Sequence, residues 1–561
     1  MKSFNLLTFR ANSLGVKLLA VTPLIATAIV SADIQSAQAE VPIRPASDQM
    51  FSLTVNSELD GPITPDALLT LREAIALTNA DITLEMLSDV ERSQVAILPD
   101  VSGSSITFAM PLGNTIRLKS LLPPLRQAGL RLDGTNSASE DSTAITLMPD
   151  DSVSIPMGFL AMADNLSIQG FNFHGFHSDI NNFYADYPFV GSVVVSTGQM
   201  LYDLGRLVDI VQLEAPRNVL IEANQFGDET SAEDASAFGV VLFEADQATI
   251  QQNQFFNQSS SAILTGKIAH NFTVSDNLFI GNGREGLGNA IHLGGNIDQG
   301  MVRGNQFCRN YGSGVFMFKP QGAIAIENNQ FYDNGLPAVP LGIDDTATQT
   351  KTAAVYLMGV KHRVINNQFL KQNGAGVVVA AYPRTEGIMI LDNTFAELQG
   401  LSIDLVTRES TGIYDYLSGD GANPLRNFRH RRTETGNSAV DAPQFAGSEF
   451  FPFGDRVLVS GTADPGVTID LYRVLEGGSY FGPLNELVLQ TVADAEGKFE
   501  VYLTDWELGE TLSAIATDSY YGTSEAAENA IIRSYNDSMT AVEWDEALNI
   551  VIPEECKPPS Q

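Results

Sequence analysis

The chain has 561 residues, 44% of them hydrophobic and 18% charged, with 47 glycines. That composition excludes a disordered chain and is long enough for several domains. With 67 acidic residues against 32 basic ones the formal charge is -35, which excludes nucleic acid as the main partner and leaves divalent cations, a cationic partner or plain solubility.

The N-terminus reads as an export leader. Lys2, Arg10 and Lys17 precede or flank an apolar run over residues 18–30, broken by Pro23, and Ala37-Gln38-Ala39 is a small-residue cleavage site. The run is too short for a comfortable membrane span. Residues 1–39 are therefore expected to be a signal peptide, and the mature protein to be periplasmic, on the outer surface or extracellular, with peripheral membrane attachment left open.

Residues 40–104 hold a strand-like "FSLTVNSELDG" and then "LTLREAI". Pro65 can open a helix there, with Leu68, Leu71 and Ile75 on one face. An amphipathic helix of this kind covers the open end of a solenoid, where apolar core and strand edges are otherwise bare.

Residues 105–435 carry a repeat. Asn-x-Phe begins at Asn224, Asn253, Asn277, Asn305, Asn329, Asn367 and Asn393. The intervals stay in the twenties except from Asn329 to Asn367, and a period of that size suits one coil of a solenoid. Three residues before each Asn stands an aliphatic side chain: Ile221, Ile250, Val274, Val302, Ile326, Val364 and Ile390. Their neighbours are mostly polar, so this set points inward. Stacked coils place like residues above one another. The asparagines are then a structural ladder that also turns the chain, since Asn tolerates the left-handed conformation, and the phenylalanines stack inside. The expected fold is all-β, a solenoid of stacked parallel strands.

Thr70-Leu71-Arg72-Glu73-Ala74-Ile75 resembles the "SLREAI" segment that opens secreted right-handed parallel β-helix proteins. Leu69 stands where that group often has Cys or Gly, so no disulfide is implied there. "TIRLKSLLPPLRQAGLRLDGT" resembles the group's first coils, and "GLSIDL" and "GANPLRN" its last. The resemblance implies the architecture, a right-handed parallel β-helix, and little about activity, because the group holds lyases, hydrolases, tailspikes and adhesins.

Residues 441–535 change character. Short alternating strands, turns at Asp464-Pro465-Gly466 and Glu496-Gly497, and the segments Ala516-Thr517-Asp518 and Thr523-Ser524-Glu525 resemble bacterial immunoglobulin-like modules. The resemblance implies a β-sandwich, and because the repeat stops before it begins, residues 40 to about 440 are expected to fold without it. The tail, residues 536–561, is acidic and then Pro-rich, and is expected to be loosely ordered. The two cysteines, Cys308 and Cys556, read as unpaired, one packed inside and one in a polar tail, although export permits a disulfide.

Chemistry has few candidates. Asp344 and Asp345 sit in the widest interval of the repeat, on a lateral loop, and would be the catalytic acids if the protein is an enzyme. His292, Met317 and Tyr356 fall at equivalent strand positions and would make a glycan-stacking patch if they point outward. Arg426, Arg429, Arg431 and Arg432 form a basic cluster that would meet anionic glycan or lipid headgroups. No motif demands a cofactor; Ca2+ is left open by the acidic balance, and no metal ligands are assigned. The expectation is an exported glycan-binding or adhesive protein. A polysaccharide lyase or glycoside hydrolase, and a structural spacer of the envelope, are the alternatives.

Overall fold

A computed structural model describes residues 48–99, 101–139, 143–177, 190–199, 214–285, 288–336, 352–382, 384–407, 419–426, 434–477, 479–534, 552 and 554–556. The leader, Asp344, Asp345, Arg429, Arg431, Arg432 and most of the tail lie outside these residues.

Among the described residues the solenoid has three parallel sheets. The first runs from Val95–Leu98 and Met50–Val55 to Met389–Leu391, the second from Thr115–Leu118 to Thr394–Ala396, the third from Met157–Ala161 to Ile403–Leu405. Only the first pair, Met50–Val55 with Val95–Leu98, is antiparallel within these sheets. From Met157–Ala161 onward each coil contributes one strand to each sheet, which is a right-handed parallel β-helix. Ile221, Ile250, Val274, Val302, Ile326, Val364 and Ile390 fill one inner wall at 0–1% exposure. The phenylalanines from Phe173 through Phe226, Phe255, Phe279, Phe307, Phe331 and Phe369 to Phe395 form one stack, with centroids 4.6–5.0 Å apart and rings tilted by 4–11°.

The seven repeat asparagines lie buried in one column between the first and second sheets. Each Oδ1 from Asn253 onward accepts from both the main-chain N and the Nδ2 of the previous rung, at 2.9–3.1 Å. The left-handed bend belongs to the residue before the Asn, not to the Asn itself. Ala223, Gln252, Asp276, Gly304, Asn328, Asn366 and Asp392 take φ of 52–66°. The ladder Asn is thereby free to use its side chain for stacking.

The N-terminal helix α1 spans Leu71–Thr78 and begins later than Pro65 implied. Thr70 is the N-cap, and Thr70 and Glu73 form a reciprocal capping box. Pro65 is exposed, and Leu69, Leu71 and Ile75 enter the solenoid core. Arg72 is held by Asp60 and by the carbonyls of Ser120 and Leu121, which fastens α1 to the second coil region.

Residues 444–532 form two further sheets around a core of Val457, Val459, Ile469, Leu471, Phe499, Leu512, Ala514 and Ile532. This module does not stand apart. Strands Thr468–Val474 and Thr511–Asp518 are buried on both faces. Ile469, Leu471, Leu512 and Ala514 face the module's own core, while Tyr472 and Ile515, with Leu484 and Ala526, belong to the solenoid core. The module also supplies hydrogen bonds that another coil would have made. Ile390 N donates to Thr523 Oγ1, Phe395 N to Leu484 O, and Leu405 N to Glu525 Oε1, at 2.9–3.0 Å. One bond thus reaches the last strand of each of the three sheets. Gly522 sits at the tightest approach: its φ is 104°, and a Cβ there would lie 2.5 Å from Ile388 O. A solenoid end exposes core and unsatisfied strand edges, and this segment covers them.

The cysteines are also paired, not free. Cys308 and Cys556 form a disulfide with Cα atoms 5.4 Å apart. Cys308 lies on the outer face of the second sheet, where the end of the chain can reach it.

Candidate functional site

The third sheet presents an outward column that runs through nine coils in register. It reads Leu160, Val194, Val241, Leu264, His292, Phe316, Tyr356, Val378 and Asp404. Alternation along each strand sends these side chains out and their neighbours in. Met317 is therefore not the equivalent of His292 and Tyr356. It pairs with Leu293 and is fully buried in the solenoid core. Phe316 takes the place expected for it, one residue earlier. His292 meets Phe316 edge-on at 4.9 Å, and Phe316 stacks on Tyr356 at 5.3 Å. Tyr356 is 1% exposed, so its ring packs against protein and offers no open face to a sugar. Arg426 is likewise committed. Its guanidinium meets Asp464 at 2.9 Å and Asp441 at 3.6 Å, and donates to Ala439 O, which removes it from the expected anion-binding cluster.

The polar end of the column is the notable part. Asp404 lies in the last strand, Ile403–Leu405, and lines a cavity of about 630 Å3 between the final coils and the C-terminal module. The coils contribute Gly374, Gln399 and Gly400, and the module contributes Glu476, Ser479 and Phe481. Tyr480, between two lining residues, is 76% exposed. Among the described lining residues there is no Lys, Arg or His.

Burial raises the Asp404 carboxyl to about 8, with the nearby Glu525 adding to the shift. Hydrogen bonds from Asp420 N at 3.2 Å and Gly421 N at 3.0 Å oppose it only in part. Glu525 is raised to about 7, again chiefly by burial, against bonds from Leu405 N, Asn423 N and Asn423 Nδ2. Two buried carboxyls that share a field cannot both ionise cheaply. The pair therefore keeps a proton near neutral pH, and Asp404 can donate a hydrogen bond into the cavity. Glu476 accepts from Glu397 N and Asn485 Nδ2 at 3.0 Å and so also ties coil to module. Among the described residues no three His, Cys, Asp or Glu are grouped to hold a metal ion.

Sequence reasoning missed Asp404, Glu525 and Glu476. Asp404 carried a signal, being an acid at an outward position of a strand otherwise apolar, "SIDL". Glu525 and Glu476 carried none, because their burial depends on how the module docks. A second ladder was also missed. Gln258, Asn282, Asn310, Asn334 and Gln372 each stand five residues after a ladder Asn, and main-chain N donates to the next rung's side-chain oxygen at 3.0–3.2 Å.

The family described as "Right handed beta helix region" matches residues 210–395. No curated protein matches the chain. Solved structures similar to it include PfbA, a surface adhesin of Streptococcus pneumoniae, at 12% identity over 54% of this chain and 80% of that one, with a TM-score of 0.32. The mannuronan C-5 epimerase AlgE4 A-module of Azotobacter vinelandii is 16% identical over 57% of this chain and 84% of that one, TM-score 0.31. DFA-IIIase from Arthrobacter chlorophenolicus A6 is 15% identical over 67% and 99%, TM-score 0.35. Likeness at this level says nothing of what this chain binds.

Proposed function

We propose that the chain is an exported β-helix protein that binds a glycan, without cleaving it, in the cavity at the junction of solenoid and C-terminal module. The observation that carries the reading is the lining of that cavity: acids, an amide, a hydroxyl and Phe481, with Tyr480 at its edge and no cation among the described lining residues. Aromatic rings and a few placed polar groups are what sugar sites use. Acidic walls in a chain of charge -35 disfavour uronic-acid polymers and favour neutral or amino sugars. Export rests on the leader-like residues 1–39. Binding of purified protein to immobilised neutral, amino-sugar and uronate polysaccharides tests this. Retention on a neutral or amino-sugar polymer, weakened at least tenfold by Phe481→Ala, is expected. Preferential retention on uronates would sink the reading.

One observation favours a hydrolase as a second reading: Asp404, held protonated near neutral pH, has the state required of a general acid. New reducing ends that appear with the wild-type protein and vanish with Asp404→Asn would replace binding by hydrolysis.

A further inference from the structure

In the C-terminal module the strands Pro452–Phe453, Arg456–Thr462 and Lys498–Leu503 lie side by side. Alternation sends Val457, Val459 and Leu503 into the module's core. It sends Phe453, Arg456, Leu458 and Tyr502 to the opposite face, with Phe453 opposed to Arg456 and Leu458 to Tyr502. That face is open to solvent: Phe453 is 85% exposed, Tyr502 59% and Leu458 38%. A phenylalanine so placed adds nothing to a core, and exposed apolar groups held together mark contact sites. The face is also built. Phe453 stands at a two-residue hairpin turn, Gly454-Asp455, in which Gly454 takes a φ of 69°. Trp506 packs on the module's core and its Nε1 donates to Asp455 O at 3.2 Å, which pins the turn. The Arg456 guanidinium lies 5.1 Å from the Tyr502 ring centroid and steadies that ring.

We propose that this face is a glycan site of its own, which stacks the sugar rings of an extended neutral polysaccharide on Phe453 and Tyr502. The two residues lie two strands across and two positions along from each other, so their Cα atoms are about 12 Å apart. That is farther than one sugar ring reaches and calls for a polymer. The C–H face of a pyranose lies flat on an aromatic ring while its hydroxyls turn to the rim. Ser460 and Glu500 are opposed in register on the same face and offer a hydroxyl and a carboxylate to that rim. Arg456 is already engaged by Tyr502 and by Asp455, 4.0 Å away, and the net charge of -35 repels polyanions, so the polymer is neutral. Three apolar side chains fall far short of the roughly 800 Å2 that each partner buries in a stable protein interface, which disfavours a second copy of the chain. None of these residues lines the junction cavity, so the site stands whether or not the cavity takes a sugar.

The test uses the full chain as wild type, as the double variant Phe453→Ala with Tyr502→Ala, and as Phe481→Ala for comparison. Retention is measured on microcrystalline cellulose and on chitin, with alginate as the anionic control. Wild type is expected to be held by at least one of the two neutral polymers, and the double variant to lose at least tenfold of that retention. Its thermal midpoint should not move, because both side chains are exposed. Equal retention of wild type and double variant would overturn the proposal, as would no retention of wild type on either neutral polymer. Tighter binding to alginate that the double variant loses would overturn it by making the ligand an anion. A lowered midpoint would do so by making the rings structural. A wild-type dimer in sedimentation that the double variant dissociates would assign the face to a second copy. Phe481→Ala separates the two sites. Retention that falls with Phe481→Ala and not with the double variant keeps the cavity and removes this face, and the reverse keeps this face and removes the cavity.

Discussion

Asn329 shows how one side chain serves three coils. Its Nδ2 donates to Val302 O on one side and to Asn367 Oδ1 on the other, while its Oδ1 takes two donors from Asn305. Asn329→Ala strands these groups in a dry interior, and each buried unsatisfied group costs about 1–3 kcal/mol. A loss of at least about 2 kcal/mol is expected from a denaturant midpoint, whereas Gln330→Ala, on the outward side, should cost less than half as much. Asp404 makes a different prediction. Its folded pKa of about 8 and that of Glu525, about 7, lie above their ordinary values of 3.8 and 4.5. The folded junction therefore binds more protons than the unfolded chain. Its contribution to stability is complete below about pH 4 and is lost as pH rises through 7 and 8. Hydrogen exchange at Ile390 and Leu405, whose N–H groups donate to the module, should accelerate from pH 6 to pH 9 beyond the intrinsic chemical rate, and Asp404→Asn should flatten that excess. An equal excess in wild type and variant would place the titration elsewhere.

At the scale of elements, the two ends of the solenoid solve one problem differently. α1 closes the N-terminal end with a short helix whose N-cap is satisfied internally. The C-terminal end is closed by a whole module that lends Tyr472, Leu484, Ile515 and Ala526 to the core and hydrogen bonds to the final strands. Truncation after Asn437 removes all of these at once. The shortened chain is expected to aggregate or to lose its cooperative thermal transition, as judged by circular dichroism and light scattering. A soluble product with an unchanged midpoint would show that the last coil needs no cover. Tyr472→Ala in the full chain is the milder probe, with a loss of about 3–5 kcal/mol expected by analogy with other large buried aromatics.

For the whole molecule, charge sets which ligands can approach. The net -35 repels polyanions over roughly the Debye length, about 10 Å at 0.1 M salt. If the junction cavity takes amino sugars, retention of a cationic glycan should fall as salt rises from about 0.05 M to about 0.5 M, while retention of a neutral glycan should hardly move. Retention of both falling in parallel would mean that non-specific charge, and not the cavity, does the binding.

Repetition made the solenoid legible. Asn-x-Phe recurring at coil length forces like residues to stack, and the aliphatic residue three places earlier has only one side on which to lie. Those are local and periodic constraints, so sequence alone determined the β-helix, its inner wall and the ladder positions. It misjudged matters of register and of distance. Met317 and Phe316 are adjacent in an apolar run, and only the observed pairing decides which of them faces out. Cys308 and Cys556 are 248 residues apart, and no periodicity connects them. The junction cavity depends on Asp404 from the last coil meeting Glu476 and Glu525 from the module. Burial of both faces of Thr468–Val474 and Thr511–Asp518 arises only when that module docks. Tertiary structure decided these points because burial and pKa are properties of what packs against a residue, and what packs here comes from far along the chain.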